Sequence, residues 1–415
     1  MPWKEVHPMD QRVELIEAYE SGCFTVVELS EQFGISRKTA YKWIHRYEAN
    51  GLSGLAELSR APRNCPHKTS KHIEEALITL RRRHRLWGPR KLLWKLGQQY
   101  PSIADTLPAA STVGDMLKRA GLVEKRRRRT NPFGPGDHGS VPLCAPEPND
   151  VWCADFKGEF LTKDALWCYP FTLTDACSRY LLGCDAKYSV EHIGAQESCE
   201  RIFAEVGLPI AIRTDNGCPF CSTAIAGLSR LSVWWMKLGI VHQRIEPGKP
   251  QQNGRHERMH RTLKAQTTRP PAQNLKLQQE RFDRFLTEYN QERPHEAIAM
   301  QTPSSIWRPS PRQLPAVLNG PDYPGHWVVK RVDQTGTVRF RGKTYRLSGV
   351  LAQELVALQE VDDGIWSVFF YNTLLGRLDE RTLKIVHTPP QPQVGGPGGN
   401  NGSGNNGSGN GVDYQ

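Results

Sequence analysis

The chain has 415 residues, 38% of them hydrophobic and 23% charged, with a formal net charge of +11. That length is too great for one hydrophobic core, so two to four domains are expected. No apolar run approaches a membrane span and residues 1–22 lack a secretory pattern, so a cytoplasmic setting and reduced cysteines are expected.

The charge is unevenly placed. Residues 1–130 hold 24 Lys+Arg against 14 Asp+Glu, nearly the whole excess. Such asymmetry predicts a polyanionic partner whose binding weakens with salt, and no lipid-facing helix accompanies it to suggest a membrane surface. Apolar spacing predicts short helices over 10–20 and from Thr25 onward, then a turn at Gly34-Ile35-Ser36 with Ser36 as N-cap. The third helix, 37–48, carries Ala40, Ile44 and Tyr47 on one face and Arg37, Lys38, Lys42, His45 and Arg46 on another. An ordinary three-helix bundle with a solvated basic face is the alternative. The glycine at the turn and the cations on the last helix favour a DNA-reading helix-turn-helix over 1–50.

Residues 51–69 are punctuated by Gly, Ser and Pro and are expected to link. Helices are predicted over 71–84, 91–98 and 111–120, so that 70–123 forms a second helical module with Val113, Met116 and Leu117 on the inner face of its last helix. A run of cations at 125–129, including Arg126 and Arg127, precedes a Pro/Gly-rich stretch, making 124–149 a basic connector suited to phosphate contact.

Between Val151 and Lys264 lie three carboxylates in distinct settings. Asp155 and Asp215 each close a short run of strand character, and Glu257 lies inside a helix whose start is marked by Pro250 and Asn253. Two acids on neighbouring strand ends and one on a helix beside them can face one point. Such an oxygen cluster suits two Mg²⁺ ions, with Mn²⁺ as a substitute, which would clamp a phosphodiester for in-line displacement. A lone Asp-Asn-Gly is more often a hairpin turn. Strands are predicted over 167–174, 179–186, 210–213 and 240–245, with helices over 190–206 and 224–238 between them. Asp175 falls in a turn and is left out of the site. Cys218-Pro219-Phe220-Cys221 lacks a second pair for zinc.

Three motifs in order resemble the catalytic core of DDE transposases and retroviral integrases, within which insertion-sequence transposases are nearest. They are Trp152–Asp155, Thr214–Gly217 and the helix from Pro250 through Asn253-Gly254, Glu257-Arg258 and Arg261-Thr262-Leu263-Lys264. The gap of 42 residues from Asp215 to Glu257 is somewhat long, and Cys218 and His256 stand where other residue types are usual. The resemblance implies a multidomain chain: tandem helix-turn-helix modules and an α/β ribonuclease-H-like core over 150–310. It also implies catalysis by Asp155, Asp215 and Glu257 as metal ligands. Arg261 and Lys264 lie four and seven residues beyond Glu257, on its side of the helix, where the family's basic residues hold phosphate.

From 326 to 388 short strands suggest a small SH3-like β-barrel, and the Gly/Asn/Ser repeat at 395–415 is expected to be disordered. The function expected is a transposase that binds double-stranded DNA as a homo-oligomer near the nucleoid, cuts the ends of its mobile element and joins them to target DNA. A nuclease of the same fold that does not join, and a repressor with a decayed core, are the alternatives.

Overall fold

The computed structural model describes residues 8–58, 68–123, 145–246, 250–382 and 384–387. Arg126 and Arg127, most of the 124–149 connector and the 395–415 tail lie outside the described residues. The chain divides into two compact units, residues 1–69 and 70–415.

The first unit holds α1 (Pro8–Glu20), α2 (Val26–Gln32) and α3 (Arg37–Asn50). Thr25 and Glu28 form a reciprocal cap: Glu28 N donates to Thr25 Oγ1 at 3.4 Å and Thr25 N to Glu28 Oε2 at 2.8 Å. Gly34 takes φ +62° in the turn, and Ser36 caps α3 as expected. Leu15, Ile16, Leu29, Ile44 and Leu55 make the core together with Trp43.

The second unit begins with α4 (Lys71–Arg83), α5 (Pro89–Gln99) and α6 (Ala110–Arg119) around Leu77, Trp87, Leu92, Val113 and Met116. A mixed sheet follows: β1 (Val151–Phe156), β2 (Phe160–Leu161), β3 (Trp167–Asp175), β4 (Leu181–Lys187), β5 (Ala211–Thr214) and β6 (Val241–Arg244). β3 pairs antiparallel with β1, β2 and β4, whereas β5 runs parallel to β1 and β6 parallel to β5. α7 (His192–Val206) and α8 (Arg230–Lys237) cover one core, built on Trp152, Phe171, Ile202, Phe203, Phe220 and Trp235. α9 (Gly254–Thr267) and α10 (Leu275–Thr287) pack through Met259, Leu263, Phe282 and Phe285 onto Cys168, Leu181 and Cys184. This is the mixed sheet with covering helices that the motifs implied. α8 is shorter than expected. Ala226 and Gly227 take φ +52° and +68°, and the helix starts only at the Ser229 cap.

Two side chains tie the core's closing segment to its neighbours. Asn290 accepts from Leu181 N at 2.8 Å and donates to Leu181 O at 2.9 Å. His84, stacked on Trp87, meets Glu288 Oε1 at 3.1 Å and so joins α4 to the turn after α10.

The expectation of a small barrel over 326–388 meets two ladders. β7 (Val328–Arg331), β10 (Leu355–Asp362), β11 (Ile365–Phe370), β12 (Thr373–Asp379) and β13 (Lys384–His387) form a five-stranded sheet. β8 (Thr337–Phe340) and β9 (Lys343–Arg346) form a separate hairpin, and among the described residues no ladder joins it to the sheet. The Asp333 carboxylate accepts from Thr335 N and Thr337 N at 2.8 and 2.9 Å, a turn between β7 and β8. Both ladders share a core of Val338, Tyr345, Val356, Trp366 and Phe370, which also takes in Ile225 and Leu228 before α8 and Val233 within it. Among the described residues no helix is long and apolar enough to cross a membrane.

Candidate active site

Parallel pairing of β1 and β5 brings two of the predicted acids to the same edge. The register pairs Val151 with Ala211, Trp152 with Ile212 and Cys153 with Arg213. Carried two places on, it sets Asp155 beside Asp215, the first residue after β5. A turn shapes the second acid: Gly217 N donates to Asp215 Oδ1 at 3.0 Å, and Asn216 Nδ2 reaches Ile245 O at 2.9 Å. A Cβ on Gly217 would lie 3.2 Å from Asp215 Oδ2, so a residue with no side chain lets the backbone close on the carboxylate. Behind it, Thr214 Oγ1 donates to Asp215 O at 2.8 Å and lies 2.9 Å from Nε2 of the half-buried His242.

Glu257 is exposed in the first turn of α9. Its charge is felt at Asp155, whose carboxyl is pushed up to about 7 by burial first, then by Asp215, with Glu257 adding to it and Lys157 opposing. Asp215 and Glu257 both act on Asp155, but the group of donor atoms that stands at ligand distance among the described residues is Asp155 with His256 and His260, not the three acids. Carboxylate oxygens from two neighbouring strand ends and from a helix start are donors of the kind that a hard divalent cation takes. Asp175 is different. Its buried carboxylate accepts from Asn149 N at 2.8 Å, Ser178 N at 2.7 Å and Ser178 Oγ at 2.6 Å, and Asn149 in turn receives the indole N–H of Trp152 and of Trp307. It braces the end of β3.

α9 lays Met259 and Leu263 into the core, as helical spacing predicts. Its buried face also carries His256 and His260, 2% and 3% exposed, neither of which the motif pattern assigns to the site. His256 reaches Thr172 Oγ1 and Thr174 Oγ1 on β3 at 2.8 and 2.7 Å. His260 reaches Thr172 Oγ1 at 2.7 Å, and its Nδ1 lies 3.5 Å from Asp155 Oδ2. Burial holds both imidazoles below their usual range. Their four-residue spacing was the available signal. The threonines opposite them had none.

Arg261 and Lys264 are exposed, and among the described residues no ion pair joins either to Glu257. In the first unit Arg37, Lys38 and Lys42 are exposed on α3, whereas Arg46 is half-buried with its guanidinium 5.1 Å from the Trp43 ring centroid. Lys42 and Arg12 also lie over that ring, at 4.5 and 3.9 Å. The eight described cysteines are unpaired, and Cys221 Sγ lies 2.9 Å from Arg244 Nη1.

Family models match along most of this architecture. An integrase core domain matches residues 145–250, and a second integrase core domain model matches 238–303. The C-terminal domain of the IS481 family transposases matches 327–386. A helix-turn-helix domain matches 11–63 and a homeodomain-like domain 39–117. The uncharacterized 39.2 kDa protein of insertion element IS476 from Xanthomonas euvesicatoria is 28% identical over 230 residues, 55% of this chain and 62% of that protein. The uncharacterized 31.7 kDa protein of insertion element IS407 from Burkholderia multivorans is 25% identical over 200 residues, 46% of this chain and 66% of that protein. The chain therefore spans somewhat less than two thirds of either relative. A magnesium complex of the HTLV-2 integrase catalytic core covers 39% of this chain and 97% of its own, at 18% identity and a TM-score of 0.31.

Proposed function

We propose that this chain is an integrase-core transposase of an insertion sequence, which binds the ends of its own element, cleaves there and joins the freed 3′-hydroxyl to target DNA. Asp155, Asp215 and Glu257 would hold two Mg²⁺ ions, with Mn²⁺ able to substitute. When bound, the ions would activate the attacking oxygen and stabilise the leaving one. The observation that carries this reading is the parallel β1–β5 register that sets Asp155 beside Asp215, with Asp215 and Glu257 both adding to the rise that burial causes in the Asp155 carboxyl.

In the joining step the 3′-oxygen bonds to a target phosphorus while that phosphorus releases its own 3′-oxygen. One ester forms as one breaks, and the proton lost by the attacking hydroxyl ends on the leaving oxygen or on solvent. The chain's own residues prepare this. Thr172 holds the Asp155 carbonyl at 3.1 Å, and Gly217 N holds Asp215 Oδ1. Arg261 and Lys264 extend from Glu257 along an exposed line suited to the phosphates of the bound strand. Arg37, Lys38, Lys42 and Arg46 would serve the helix-turn-helix as phosphate and base contacts, with Arg126 and Arg127 adding cations between readers and core. Assembly as a homo-oligomer would bring two element ends together.

Asp155→Asn, Asp215→Asn and Glu257→Gln test the assignment. Each keeps side-chain shape and removes one charge. Cleavage and joining should be lost while end binding persists; near-normal cleavage by any of the three would remove that residue from the site.

A further inference from the structure

The contacts of His256 and His260 determine which imidazole nitrogen carries the proton. Thr172 has a single hydroxyl proton, and its Oγ1 lies 3.1 Å from the Asp155 carbonyl oxygen, an atom that can only accept. That proton is therefore committed. With that proton on the carbonyl, the two Nε2 atoms at 2.8 and 2.7 Å from the same Oγ1 both donate to it. His256 Nδ1 is then an acceptor and takes the Thr174 hydroxyl proton at 2.7 Å, so both of its nitrogens are used.

His260 differs. Its Nδ1 faces Asp155 Oδ2 at 3.5 Å. With its Nε2–H given to Thr172, the ring's other nitrogen is left to offer a lone pair. A nitrogen lone pair thus points at a carboxylate oxygen, two electron-pair donors aimed at one place. Asp155, His256 and His260 indeed stand together as a group whose donor atoms lie within 4.8 Å of one another. Only His260 and Asp155 retain a free lone pair for that place. Their separation is the span of two ligands at about 2.0–2.2 Å from a common ion, subtending roughly 110°.

We infer that His260 Nδ1 is a further protein ligand, sharing a divalent cation with Asp155. The inference rests on the acid-cluster reading above and adds a nitrogen to it. An imidazole donor favours Co²⁺ or Zn²⁺, and to a lesser degree Mn²⁺, over Mg²⁺, which prefers oxygen throughout. The Thr172–His256 contacts present this nitrogen by fixing the tautomer of its neighbour and of His260 itself.

Pulsed EPR of Mn²⁺ bound to the full chain tests this directly. Wild-type protein should bind Mn²⁺ and show ¹⁴N imidazole coupling, which should change to the ¹⁵N pattern when only histidine is ¹⁵N-labelled. His260→Leu should abolish the coupling and weaken Mn²⁺ binding about 10-fold or more, with a smaller effect on Mg²⁺. The labelled wild-type protein keeps the test decisive if that variant does not fold. Bound Mn²⁺ without histidine coupling, or coupling that survives His260→Leu, overturns the inference and leaves the acid cluster standing. Failure of wild-type protein to bind Mn²⁺, or binding indifferent to Asp155→Asn, overturns both.

Discussion

Asp155 and Asp215 occupy adjacent positions at one edge of two parallel strands, at the offset set by the Cys153–Arg213 pair. Asp215 is the largest charge acting on Asp155, second only to burial in raising its carboxyl. Without a cation this arrangement opposes folding increasingly from about pH 4 to 7, and its cost gives the first prediction.

A carboxyl raised from 3.8 to about 7 on folding binds its proton more tightly in the native state than in the unfolded chain. There is no penalty below about pH 4, where both states are protonated. The penalty grows as pH rises to 7 and is complete above it, about 4 kcal/mol at most. Metal-free Asp155→Asn should therefore melt higher than wild type at pH 8 and the same at pH 4. Thermal melts in EDTA check this, and a lower Tm for the variant at pH 8 would show that the carboxylate is stabilising.

Divalent cation should reverse the effect. Mg²⁺ added without DNA should raise the wild-type Tm at pH 8 more than at pH 5.5, because protons compete for the same acids. Asp215→Asn should flatten the response. Equal Mg²⁺ stabilisation of wild type and variant would place the ion elsewhere.

Thr172 is buried and bonded to two imidazoles and a carbonyl. Thr172→Val keeps the shape and strands three polar groups, so it should cost about 1–3 kcal/mol. Chemical denaturation measures this; an unchanged midpoint would mean that the hydroxyl network carries no stability.

Arg261→Ala with Lys264→Ala should raise the DNA concentration needed for half-maximal cleavage and leave the Mg²⁺ dependence unchanged. If these cations instead buffer Glu257, the Mg²⁺ midpoint shifts and the DNA titration does not. Titrating both on the double variant separates the two.

Lys38→Ala with Lys42→Ala, on the exposed face of α3, should weaken binding to the element's ends and lower the salt slope by about 1 for every phosphate left without its cation. A slope equal to wild type would take α3 off the DNA.

Much of this was legible in the chain. Ser36 announces its helix through capping chemistry, and the alternation of apolar runs foretells the order of strands in the core. Asp155, Asp215 and Glu257 were visible because each sits in its own local pattern. Trp43 was not assigned to the core, since a flanking run of cations makes its face look solvated; the structure stacks Arg12 and Lys42 on the indole instead. The His260–Asp155 contact was hidden for another reason. It depends on how α9 lies across β3, and residue spacing within a helix does not say what stands opposite. β13 was missed because Lys384–His387 is a short edge strand that, among the described residues, pairs with β12 alone.

The central claim is that one acid cluster performs joining as well as cleavage. The direct measurement is a strand-transfer assay with the full chain, a labelled duplex carrying the element's terminal sequence, a supercoiled target plasmid and Mg²⁺. The account predicts labelled 3′-ends covalently joined to plasmid, absent in EDTA and absent with Asp155→Asn. Cleaved ends that never join the plasmid, or joining that survives Asp155→Asn, would contradict it.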